Sequence, residues 1–97
     1  MRHDLFDNDA IVLKNMSSGV TLKTKKGEKA IHVEYPDMQY LGIWHCPKTE
    51  APYICIEPWT SLPSRQQVIE DFATQPSMIM LREKEMYQNQ ISITFKI

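Results

Sequence analysis

The chain has 97 residues, 11 of them basic and 12 acidic, for a net charge of −1. That length predicts one domain, residues 1–97, with a modest core. The near-neutral charge argues against electrostatic capture of nucleic acid or an anionic membrane, and apolar runs such as AIVL at 10–13 fall far short of the ~20 residues of a membrane helix.

In chain order, the apolar periodicity is mostly two, which predicts strands. AIVLKN at 10–15 is a short apolar run. In SGVTLKTKKG at 18–27, Val20 and Leu22 share one face, Thr21 and Lys23 the other. The Gly in KKGEK predicts a hairpin into KAIHVEY, where Ile31, Val33 and Tyr35 alternate with His32 and Glu34. QYLGIWH at 39–45 is a further strand, with Gly42 permitting a bulge or a close approach. CPKTEAP is a polar loop, and His45 belongs with it. YICIE at 53–57 is a strand expected to end at Pro58, which cannot donate to a ladder. SRQQVIEDFAT at 64–74 spaces Val68, Ile69 and Phe72 at helical intervals, with Ser64 as N-cap and Pro76 as stop, so it predicts a short helix. LREKEMY reads as a turn. Ile91, Ile93, Phe95 and Ile97 then alternate with Gln90, Ser92, Thr94 and Lys96 in a last strand. The six methionines, Met78, Met80 and Met86 among them, are expected as gap-filling core. The class is all-β, an antiparallel β-sandwich with one short helix.

Two cysteines, Cys46 and Cys55, are too few for a disulfide scaffold. Reduced, half-buried thiols are the simpler reading, beside a bridge between neighbouring strands. No ligand spacing predicts a metal site. The opening MRHDLFDNDA lacks the apolar core of a signal peptide, so a cytoplasmic setting is expected.

Glu57 raises the chemical question. Strand alternation sets Tyr53, Cys55 and Glu57 on one face and Ile54 and Ile56 on the other. If the isoleucines face the core, Glu57 emerges opposite, next to Trp59. An acid ahead of Pro at a strand end also fits a solvated edge residue. Trp44 and Trp59 fit core or rim packing as well as a flat surface for a sugar ring.

YPDMQYLGIWHCPKTEAPYICIEPWTSLPS resembles the C-terminal region of the aldose 1-epimerases, the galactose mutarotase-like family, and their LacX-like branch in particular. The resemblance is carried by LFDNDAIVL, LGIW at 41–44, CIEPWTSLP at 55–63 and LREKE before the final strand. It implies the C-terminal part of a larger antiparallel β-supersandwich, with a sugar cleft on one sheet face. It implies cofactor-free interconversion of the α and β anomers of an aldose. Glu57 would be the general base, and Asp9 a substrate-binding residue, with Asp7 close by. The family's general-acid histidine lies in a region with no counterpart here, and neither His3, His32 nor His45 matches its motif.

Two expectations follow. The chain is an incomplete mutarotase, or else a carbohydrate-binding or structural remnant. Uncovered sheet is expected to drive homo-oligomerisation, most simply a dimer, or docking of a partner chain. A glycosidase is disfavoured, because hydrolysis usually needs two carboxylates flanking the bond.

Overall fold

The computed structural model describes residues 1–16 and 18–97. A 3₁₀ turn at His3–Phe6 precedes six strands: β1 Ile11–Lys14, β2 Gly19–Lys23, β3 Ala30–Glu34, β4 Tyr40–Trp44, β5 Cys55–Trp59 and β6 Ser92–Lys96. They form two antiparallel three-stranded sheets, β1-β4-β5 and β2-β3-β6. β1 lies in the apolar run at 10–15, β2, β3, β4 and β6 lie in the alternating stretches, and β5 begins in one and runs past it, so the fold is all-β. The β2-β3 hairpin closes where Gly27, at φ 71°, takes a left-handed conformation that a side chain would strain.

Register decides which faces meet. Leu13, Leu41 and Pro58 lie in one cross-strand row, Ile11, Ile43 and Ile56 in the next. Across the sandwich, Val20, Val33 and Ile93 form a row, as do Leu22, Ile31 and Phe95. Leu41, Val33 and Tyr35 make the buried centre, and Leu13, Val20, Ile31, Met38, Ile43 and Ile56 pack around it. The core is thin. The radius of gyration is 16.1 Å, against about 13 Å for a compact chain of this length.

Three features differ from the expectations above. Residues 64–74 form turns and no helix. Gln67 sits at φ 60°, outside helical space, and Arg65 pairs with Glu70 at 2.8 Å. Short helices draw most of their stability from a packed face, and here Ile69 and Phe72 face solvent. β5 does not stop at Pro58, which pairs opposite Leu41. β5 is an edge strand, where a missing N–H can point away from the neighbour. Met1, Met16, Met80 and Met86 are exposed, so none of these four fills the core. His45 lies in the loop after β4, as expected, and is 2% exposed there.

The Tyr35 hydroxyl is buried without a hydrogen-bond partner, and burial raises its pKa. The folded state therefore holds this proton after the unfolded chain, at about pH 10, has released it. Its contribution to stability is complete below that pH and falls as pH rises toward the folded value. Tyr35→Phe is expected to stabilise the chain by about 1 kcal/mol at pH 7, by removing an unsatisfied group. It should also flatten the loss of stability above pH 10. Urea titrations of both proteins at pH 7 and pH 11 check this.

Candidate functional site

With Ile56 and Pro58 turned inward, alternation turns Cys55, Glu57 and Trp59 outward. Glu57 stands opposite Gly42, and Gly42 opposite Val12, in one row across the outer face of the β1-β4-β5 sheet. Tyr40 and Trp59 occupy the next row. Gly42 is the key to the surface. A Cβ built there would lie 2.8 Å from Trp59 Cζ2 and 3.1 Å from Cε2 and Cη2. The six-membered ring of the indole therefore rests on the bare backbone of Gly42, on the strand facing Glu57. This is the close approach that a glycine in a strand signals.

Glu57 is half-buried. Among the described residues its carboxylate forms no ion pair and accepts no hydrogen bond. The patch therefore combines an unengaged carboxylate with the apolar surface of the indole. Gly42→Ala should push the indole off its seat. The expected outcome is a loss of about 1–3 kcal/mol and a red shift of Trp59 emission, read in a Trp44→Phe background because the chain has two tryptophans.

Beyond Trp59 the chain leaves the sheet and folds back. The loop is tied by Leu62 N donating to Ser77 Oγ at 3.0 Å and Gln75 Nε2 donating to Leu62 O at 3.2 Å. Between this loop and the end of β5 lies a hollow of about 550 Å³, within the range of small-molecule sites. Trp59, Pro58, Phe72 and Met38 give it apolar walls, and Glu70 and Gln75 give it polar ones. Glu57 does not line it, whereas Trp59 does. The Glu70 side chain is 11% exposed and held by Arg65. Sequence reasoning missed Glu70, because only the fold-back of an irregular loop brings it to Trp59.

The remaining candidates are placed as follows. Trp44, opposite Cys55, shares the outer face with Glu57, and its ring centroid lies 6.4 Å from that of Tyr53. Asp9 is not brought to Glu57. It precedes β1 at the end of the sheet near Trp44, is exposed, and accepts a hydrogen bond from Ala10 N at 2.7 Å. Its neighbour Asp7 accepts from Lys48 N at 3.0 Å and so fastens the loop after β4. His45 Nε2 lies 2.7 Å from Ala51 O, and its ring stacks on Tyr53. His32 lies on the other sheet, 2.7 Å from Thr21 Oγ1. No histidine among the described residues stands beside Glu57. Both cysteines are free and half-buried. Among the described residues no group of three His, Cys, Asp or Glu is placed to hold a metal ion, and no helix is long and apolar enough to cross a membrane.

No family model matches the chain, and no solved structure matches it. It is similar to the chromosomal and plasmid forms of protein LacX from Lactococcus lactis subsp. lactis, at 36% identity over 61 residues in each case. The match covers 62% of this chain and 20% of each relative, so the chain spans about a fifth of the length of the LacX proteins it resembles.

Proposed function

We propose that the outer face of the β1-β4-β5 sheet is the base-bearing part of an aldose 1-epimerase-like site, with Glu57 as general base. The observation that carries this reading is the half-buried, unpaired carboxylate of Glu57 facing the glycine on which the Trp59 indole rests. The resemblance of CIEPW and LGIW to the epimerases and the similarity to LacX proteins support it.

The chemistry is two proton transfers. Glu57 takes the proton from the anomeric hydroxyl, whose oxygen becomes the aldehyde carbonyl as the bond from C1 to the ring oxygen breaks. The ring oxygen takes a proton from water, since no histidine stands beside Glu57 to supply one. After rotation about C1–C2 the ring-oxygen hydroxyl attacks the other face of the carbonyl and gives its proton back to the hydroxide left from that water, while Glu57 returns its proton to O1. A single positioned base contributes ~10²–10⁴-fold, and only when the sugar is held within its reach. The Trp59 indole offers an apolar surface for the C–H face of the ring.

Polarimetry of freshly dissolved α-galactose and α-glucose tests the reading. The expected result is a saturable acceleration of mutarotation above buffer; a rate equal to buffer at all protein concentrations would refute catalysis. A second reading, a carbohydrate-binding module without turnover, is favoured by one observation: the hollow beside Trp59 has polar and apolar walls but lacks Glu57. It predicts a saturable change in Trp59 fluorescence with sugar and no change in the mutarotation rate.

A further inference from the structure

The apolar face of β6 in the β2-β3-β6 sheet is left largely uncovered. β6 pairs only with β3, so its outer edge is open among the described residues. Ile93 and Phe95 share rows with the core residues Val33 and Ile31, yet they are 55% and 66% exposed. On the opposite face of β6 stand Ser92, Thr94 and Lys96. Lys96 Nζ donates to Gly27 O at 3.1 Å, which ties the end of β6 to the β2-β3 turn. Lys23, Lys29 and Lys96 border a hollow of about 420 Å³ whose apolar walls are Leu22, Ile31 and Phe95. Lys25 and Lys26 lie in the same turn, Glu28 is its one acid, and residues 88–97 contain none. In a chain with a net charge of −1 this is a local excess of positive charge.

We propose that β6 is a docking edge for an extended partner segment that alternates acidic and apolar residues and adds to the sheet as a fourth strand. Edge strands present unpaired N–H and C=O groups that template such pairing. The two faces of β6 set the alternation. A strand laid antiparallel to it places every second side chain beside Ile93 and Phe95, where apolar area is uncovered, and the others beside Thr94 and Lys96. Apolar residues suit the first set and carboxylates the second. A second copy of β6 fits less well, because its own sequence, SITFK, offers lysine and hydroxyls to Lys96 and no acid. The proposal is independent of the Glu57 reading, since it concerns the other sheet.

The test uses the isotope-labelled full chain and an octapeptide of alternating glutamate and valine. The expected result is slowed amide exchange and shifted resonances over residues 92–96, an affinity that falls as salt is raised, and weak or absent binding of the matching lysine–valine octapeptide. Lys96→Gln should weaken binding, and Lys96→Glu should weaken it further, by about tenfold. Lys96 is exposed, so both variants should keep the parent circular-dichroism spectrum. The proposal is overturned if the glutamate–valine peptide leaves β6 unperturbed, if the lysine–valine peptide binds equally well, or if Lys96→Glu binds as the parent does. It is also overturned if the chain protects β6 by dimerising alone, or if the surface binds phosphatidylserine vesicles in preference to the peptide.

Discussion

Leu41→Ala is expected to lower the stability of this chain by about 2–5 kcal/mol. Leu41 is 1% exposed, in the central strand of its sheet, and it packs on Val33 of the other sheet and on Tyr35, just after β3. Its removal leaves a cavity where the two layers meet, and few other buried side chains are available to collapse into it. A domain of this size has roughly 5–15 kcal/mol in total, so the variant should be partly unfolded at room temperature. Its melting temperature should fall by roughly 8–40 °C, taking 4–8 °C per kcal/mol. Phe95→Ala is the contrast. Phe95 is larger, but it is 66% exposed, and its loss should change stability by less than about 0.5 kcal/mol. Thermal melts followed by circular dichroism compare the two. Equal melting temperatures for the two variants would mean that the sheets do not pack through Leu41.

Glu57→Gln is expected to reduce the mutarotation rate by ~10²–10⁴-fold, the range for one positioned proton-transfer group. The substitution keeps the size of the side chain and removes its capacity to take a proton. Because the carboxylate has no ion pair or hydrogen bond among the described residues, nothing is orphaned when its charge is removed. Stability should therefore change by less than about 0.5 kcal/mol. The combination separates a catalytic role from a structural one. A variant as active as the parent would remove Glu57 from the reaction. A variant that loses both rate and stability would place the residue in the framework of the fold.

Much of this arrangement is legible in the residues. An apolar run locates β1 and period-two alternation the other five strands, because a strand with one face buried cannot change register without turning its apolar side chains to water. The same alternation places Glu57 opposite Ile56 and on the outer face. Gly42 marks a close approach before the approaching group is known. What is not legible depends on distant surfaces. The spacing of Val68, Ile69 and Phe72 fits a helix, but a helix of that length needs something to pack against, and sequence spacing does not report whether a surface is there. Glu70 comes to Trp59 through hydrogen bonds between Leu62, Gln75 and Ser77, which no local pattern encodes. His45 reads as a loop residue beside Pro47, but the adjoining chain folds over it so that Ala51 O meets its ring.

The most direct measurement is a nuclear magnetic resonance titration of the full chain with galactose, following the Trp59 indole N–H and the backbone amides of Gly42 and Glu57. If sugar is held where the indole lies on the glycine, these three signals move together and saturate, while those of Thr21 and His32 on the far sheet stay fixed. Movement confined to the β2-β3-β6 sheet, or none at sugar concentrations that saturate ordinary carbohydrate sites, would contradict a sugar site at Glu57.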